Sequence, residues 1–390
     1  MEKIKRYLNL MLPKPYSTFL WGARKTGKST YLRQNFPESL YVDLLKTDVF
    51  QKYVNRPFLL REEILGVPEE TLNKPIILDE VQKIPQLLDE VHWMIENIKS
   101  SQFILCGSSI RKLKQSGSNL LGGRAWRTMF MPLCFPELKT LDWKKIMNRG
   151  LLPSHYLSFY SHKLLSSYVI DYLLPEVHLE ASLRSSQGFA RFLDTLGFCQ
   201  GELLNYSNIA RDCGVDAKTV KIYFEILVEM YIGYFLTPFQ KRDSRRTIKE
   251  TPKFYLMDTG LANHLKKYNF MEFKGVEAGK AFEHYIFLEL IAHKYLNDLD
   301  HSINFWRTHE GTHEVDFVLQ NGQIAIECKI STPIERRDLK GLLTFGNEYK
   351  AKLHLVTLEQ RKRLMRLDSQ EVIVWPVEDF LNSLWAGEIL

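Results

Sequence analysis

The chain has no apolar run long enough to span a bilayer and no charged-then-apolar leader at its start. The sequence therefore predicts neither a membrane protein nor a secreted one. Cysteine is scarce: Cys106, Cys134, Cys199, Cys213 and Cys328 are scattered, odd in number and never in C-x-x-C spacing. This excludes a disulfide framework and a structural zinc site, and it predicts a reducing, cytoplasmic setting. Internal repeats and low-complexity tracts are missing as well. No charge sign dominates either. A net charge of +6 over 390 residues hints at a polyanionic partner but does not identify one, because binding depends on where charge clusters. What remains is an ordinary globular balance, 45% hydrophobic and 25% charged, in a chain long enough for two or three domains.

Against that background one motif stands out. Gly22-Ala23-Arg24-Lys25-Thr26-Gly27-Lys28-Ser29 is a complete G-x-x-x-x-G-K-[ST] phosphate loop. Its glycines let backbone N–H groups turn inward toward phosphate oxygens. Lys28 is placed to neutralise the β- and γ-phosphates, and the Ser29 hydroxyl to hold Mg²⁺. Ser17–Trp21 reads as a buried strand before it and Ser29–Asn35 as a helix after it, with the helix N-terminus favouring an anion. Gly22, Ala23, Lys25, Thr26, Gly27, Lys28, Ser29 and Thr30 are thus the expected contacts for ATP or ADP.

Hydrolysis needs an acid beside Mg²⁺ and a group that orients water. Apolar runs at residues 41–45, 75–80 and 102–107 alternate with helical patterns, which predicts a parallel sheet covered on both faces. Asp79 and Glu80 end the second run. Asp79 is the expected metal-side carboxylate and Glu80 the expected base. Cys106-Gly107-Ser108-Ser109 ends the third run, so Ser108 or Ser109 is a candidate γ-phosphate sensor; the rival reading is a helix N-cap. Arg124 follows Gly122-Gly123 and is a candidate arginine finger, which calls for a homo-oligomer if it acts on a neighbouring copy.

Taken in order, Gly22–Ser29, Ile76–Glu80 with Val81-Gln82-Lys83-Ile84-Pro85, Gly107-Ser108-Ser109, Gly123-Arg124 and Pro132–Leu138 resemble a group of prokaryotic AAA-type ATPases that carry a C-terminal domain of uncharacterised function. Lys253–Leu261 and Gly279-Lys280-Ala281-Phe282-Glu283 resemble that C-terminal domain. Cys134 stands where the group usually has serine. The resemblance implies an α/β chain of four parts: an AAA-like P-loop ATPase domain (1–140), a helical connector (141–200), a winged-helix domain (201–274) and a restriction-endonuclease-like, PD-(D/E)xK-type α/β domain (275–390).

The residues support each part. Between 137 and 200, Tyr156, Phe159, Tyr160, Leu164, Leu165, Tyr168, Tyr172 and Leu173 recur at helical spacing and read as helical core. A helix over 207–213, a turn with Asp216 as N-cap and a helix over 217–230 read as helix-turn-helix. Lys218, Thr219, Lys221 and Tyr223 lie near the start of the second helix. The basic tip 240–249, with Arg242, Arg245 and Arg246, reads as a wing between strands over 231–240 and 253–257, suited to a DNA backbone. In the last part, strands over 315–319 and 324–330 are joined by Asn321-Gly322, a hairpin signal. A helix near 337–345 and strands near 354–357 and 372–375 follow. The hairpin brings Asp316 and Glu327 to one end of a sheet, and the Glu-x-Lys spacing puts Lys329 on the same face as Glu327. Two carboxylates can hold Mg²⁺ at a phosphate, with Glu283 as a further ligand and Lys329 orienting water. The sequence thus predicts an ATP- and Mg²⁺-using ATPase that governs a DNA-binding, nuclease-like module. The alternative is a switch whose nuclease-like domain is inactive and binds protein or nucleic acid.

Overall fold

Strands β1 (Ser17–Trp21), β2 (Tyr41–Asp43), β3 (Ile76–Asp79), β4 (Phe103–Gly107) and β5 (Ala125–Met129) are short and, β5 apart, largely apolar. Successive residues bury on opposite sides. Phe19, Leu78 and Leu105 enter one apolar core, and Leu20, Ile77 and Ile104 another. Such strands need a layer on each face, and helices supply both. The computed structural model, which describes residues 4–115, 121–181, 186–240, 251–367 and 369–390, orders these five parallel strands β2-β3-β4-β1-β5. All their C-terminal ends meet at one edge, where open α/β sheets bind ligands. With β4 between β1 and β3, the residues that end these three strands converge. Strand β5 was not expected from sequence; Trp126 and Arg127 are exposed, which dilutes its apolar signal.

Residues 143–229 are mainly helical. The helix Ser161–Ser167 runs through a π-helical turn, Tyr168–Leu173, into Leu174–Ala181. Two residues of the expected core stripe face solvent instead: Phe159 and Tyr160 are 90% and 70% exposed. The helices Tyr206–Cys213 and Ala217–Glu229 form the expected helix-turn-helix. Asp216 Oδ1 accepts from the Thr219 N–H at 2.8 Å, a side-chain N-cap.

The antiparallel strands β6 (Gly233–Pro238) and β7 (Lys253–Leu256) come next. Then follow the helix Gly275–Leu296, β8 (Ile303–Arg307), β9 (Glu314–Leu319), β10 (Ile324–Lys329), a helix Lys340–Tyr349, β11 (Lys352–Thr357), β12 (Arg363–Leu367) and β13 (Gln370–Pro376). The expected helix near 337–345 is a 3-10 turn, Arg336–Leu339, leading into Lys340–Tyr349. One eight-stranded sheet runs β12-β13-β11-β10-β9-β8-β6-β7. Strand β6 joins it through Thr237 opposite Asn304 and Pro238 opposite Phe305, so the hairpin before residue 275 and the strands after it share a sheet.

Candidate functional site

The phosphate loop is built from its own side chains and from segments distant in sequence. Gly27 has φ 101°, a left-handed conformation that glycine adopts without a Cβ clash. A Cβ on Gly22 would lie 2.2 Å from the Phe130 carbonyl oxygen that follows β5. Lys28 Nζ donates to the Gly22 and Ala23 carbonyls at 2.6 and 2.9 Å, so its ammonium sits within the loop. Thr26 and Ala23 are buried and shape the turn, with Thr26 Oγ1 donating to Ala23 O at 2.8 Å. Lys25, Gly27, Lys28, Ser29 and Thr30 line a cleft of about 660 Å³, together with Glu80. That volume lies within the range of small-molecule sites.

Sequence reasoning missed the brace behind the loop. Arg6 Nη1 donates to Thr26 O at 2.6 Å and Nη2 to Met131 O at 2.7 Å, while Nε pairs with Glu137 at 2.9 Å. Its guanidinium lies 4.3 Å from the centroid of the Phe130 ring. Glu137 thus has a concrete role inside the Pro132–Leu138 motif.

Asp79 is 1% exposed at the end of β3. Its Oδ2 accepts from the Tyr41 hydroxyl at 2.5 Å, and burial followed by the Asp79 charge pushes that phenol upward. Its Oδ1 is buried and, among the described residues, has no hydrogen-bond partner. Leaving such an acceptor unpaired costs roughly 1–3 kcal/mol, so this carboxylate suits a cation or a held water. Glu80 adopts φ 62°, a strained backbone for a non-glycine residue and one that clusters at functional sites. Its Oε2 accepts from Gln82 Nε2 at 2.5 Å and from Ser108 Oγ at 3.2 Å. Gln82 Nε2 also lies 3.1 Å from Ser108 Oγ. Between the two serines the geometry is clear. Ser108 reaches the acid, whereas Ser109 Oγ accepts the Arg111 N–H at 3.2 Å, the helix-capping role. Gln82 was not singled out, although it stands three residues after Asp79.

In the second cluster, Ile326 pairs with Phe317, which sets Asp316 beside Glu327 and Cys328. Cys328 N–H donates to Asp316 Oδ2 at 2.8 Å, and Lys329 Nζ to Glu327 Oε1 at 2.6 Å, as the Glu-x-Lys spacing predicts. Burial, then the charges of Glu327 and Glu283, hold Asp316 well above the usual carboxylate range. Burial also raises Glu327. Glu283 is turned elsewhere. Its Oε1 accepts from Tyr255 OH at 2.5 Å and lies 3.4 Å from Lys253 Nζ. Among the described residues no group of three or more His, Cys, Asp or Glu is arranged to hold a metal ion, so Glu283 does not join Asp316 and Glu327 as the expected third ligand.

Residues 14–139 match a family described as an AAA domain. This match supports an AAA-type ATPase. Residues 140–272 match a domain of unknown function (DUF8612), and residues 278–380 another (DUF4143). Among solved structures, the Walker-type ATPase PABY2304 of Pyrococcus abyssi is similar, at 15% identity and a TM-score of 0.43, over 65% of this chain and 92% of that one. No curated protein sequence matches. Among the described residues, no helix is long and apolar enough to cross a membrane.

The cleft beside the phosphate loop is not confined to the AAA domain. Pro153, Ser154 and Leu157 line it from the following segment, Tyr168 OH donates to Arg24 O at 3.4 Å, and the Arg24 guanidinium lies 4.9 Å from the Tyr172 ring centroid. Both tyrosines sit in the π-helical turn. Beside them His155 is buried, and burial and then the Lys25 charge push its imidazole down to about 4. Arg124, by contrast, is not at the cleft of its own chain. It precedes β5 at the opposite end of the sheet, with its carbonyl accepting from Ser17 N–H, and its side chain is paired with Glu96. Lys218 and Lys221 are exposed on their helix, but Tyr223 is 1% exposed and packs on Phe189 and Phe192. Arg242, Arg245 and Arg246 lie outside the described residues.

Proposed function

We propose that this protein binds and hydrolyses ATP, and that its nucleotide state acts on a restriction-endonuclease-like C-terminal domain. The observation that carries the reading is the convergence of Lys28, Ser29, Asp79, Glu80 and Ser108 at the C-terminal edge of one parallel sheet. Lys28 would neutralise phosphate charge as it forms, in a site that already holds its ammonium inside the loop. Ser29 and Asp79 would hold Mg²⁺, which when bound neutralises phosphate oxygens; the partnerless Asp79 Oδ1 fits that part. Glu80, oriented by Gln82 and Ser108, would take the proton of the attacking water. The cleft wall formed by 153–157 and the Arg24 contacts offer a route from nucleotide to the helical segment.

The order of a helix, three antiparallel strands, a helix and a parallel strand, with the acids on adjacent strands, supports the nuclease-like reading of the C-terminal domain. The helix-turn-helix followed by a hairpin supports a winged helix, with Lys218 and Lys221 available to a DNA backbone. The second reading, an inactive module that binds without cutting, is favoured by the turning of Glu283 toward Tyr255 and Lys253. ATP turnover with and without DNA, together with Mg²⁺-dependent cleavage by the native chain and a Lys329→Ala variant, tests both. Loss of cleavage in the variant supports a nuclease. Binding without cleavage supports the second reading. Absence of ATP turnover would overturn the central proposal.

A further inference from the structure

Lys253 opens the Lys253–Leu261 segment that resembles the C-terminal domain, yet it lies on β7, before that domain begins. Its side chain is 5% exposed and runs into the acid cluster. Nζ lies 2.5 Å from Glu314 Oε1 and 3.4 Å from Glu283 Oε1, with the Phe305 ring centroid at 5.4 Å. Lysine is almost never buried unless paired, so these acids are what hold it there. On the other side, Lys329 is paired with Glu327. Arg307 lies 3.7 Å from Glu314. Among the described residues, Lys253, Arg307 and Lys329 thus meet Glu283, Glu314 and Glu327, while Asp316 accepts from the Cys328 N–H. Glu327 Oε2 is buried and, among the described residues, has no hydrogen-bond partner.

We propose that Lys253 is the resident counter-ion of this cluster, standing in for a divalent cation and keeping one out while the β6–β7 hairpin is docked. Contact geometry supports it. A divalent ion needs carboxylate oxygens that are free, and here Lys329 occupies Glu327 Oε1, Lys253 the Oε1 atoms of Glu314 and Glu283, and the Cys328 N–H Asp316 Oδ2. The Mg²⁺ expected at Asp316 and Glu327 therefore does not fit the arrangement as it stands. Withdrawing the Lys253 ammonium would free Glu314, which shares a face of β9 with Asp316, while Glu327 Oε2 offers a further acceptor from the adjacent strand, which is the condition for a divalent site.

The test is Mn²⁺ binding, read by electron paramagnetic resonance of the full-length, nucleotide-free protein. Wild type is expected to show no Mn²⁺ binding that Asp316→Asn removes. Lys253→Met is expected to gain one site, about tenfold or more tighter than any in wild type, and to lose it again when combined with Asp316→Asn. Lys253→Arg, which keeps the charge, is expected to behave as wild type. An Asp316-dependent Mn²⁺ site in wild type, or none gained in Lys253→Met, overturns the proposal. Should Lys253→Met fail to fold, melting of wild type against Asp316→Asn with and without Mn²⁺ decides it. A rise in melting temperature seen only in wild type is ion binding and refutes exclusion; equal responses support it. The inference rests on the nuclease-like reading, but the two fail differently. Mn²⁺ binding by Lys253→Met without DNA cleavage would count against a nuclease and leave the counter-ion role intact.

Discussion

Glu80 is held in a left-handed backbone conformation while Gln82 and Ser108 fix its carboxylate, so its charge and its position can be separated by substitution. Glu80→Gln should retain ATP binding and lower turnover by about 10²–10⁴, the usual contribution of a positioned base; single-turnover hydrolysis beside a fluorescent-nucleotide titration checks both. Gln82→Ala should lower turnover less, with ATP affinity unchanged, because it frees the acid without removing it. Lys28→Ala should weaken ATP binding by about 10–100-fold, the loss of a charge-assisted contact; unchanged affinity by calorimetry would remove the loop from the site. Most of these residues were readable because a phosphate loop and an acid-ended strand have fixed spacing. Arg6 and Lys253 were not. Each acts through contacts 20 or more residues away in sequence, which local pattern does not show.

Among the elements, the helix Gly275–Leu296 ties the AAA domain to the C-terminal sheet through one buried acid. Glu289 accepts the Phe135 N–H at 3.0 and 3.1 Å and Trp385 Nε1–H at 2.9 Å. Burial pushes its carboxyl up to about 7, against the donors that favour its charged form. The native chain therefore keeps a proton that the unfolded chain releases above about 4.3. This contribution to stability is full below that value and is lost as pH rises toward 7. Glu289→Gln should remove that loss. Urea unfolding at about pH 5 and about pH 8 should show wild type losing on the order of 3 kcal/mol more than the variant over that interval; parallel losses would show that Glu289 is ionised throughout. At this scale sequence reading found the strands with continuous apolar runs and missed β5, β8 and β12. Two of these three, β5 and β12, carry exposed or half-exposed residues along their whole length, so no apolar run announces them.

For the whole molecule, the placement of Arg124 at the far end of β5 makes a definite demand. If it serves ATP hydrolysis at all, it serves the cleft of another copy. Mixing Lys28→Ala with Arg124→Ala chains, each expected to be inactive alone, should then restore turnover, because one supplies the cleft and the other the arginine. No restoration at any mixing ratio would leave Arg124 with its structural pairing to Glu96 alone. The N-terminal parallel sheet could be read from the sequence because its apolar runs alternate with helical patterns. The pairing of β6 with β8 could not, since a parallel contact across 67 residues leaves no local mark.

That pairing also governs how the chain can be divided. A fragment beginning at residue 275 would leave the β8 edge uncovered, with backbone donors and acceptors free to recruit a second copy. One beginning at residue 201 would bring its own cover. The seam between the two sequence families is therefore a poor place to cut: light scattering should find the shorter piece self-associating where the longer one stays dispersed.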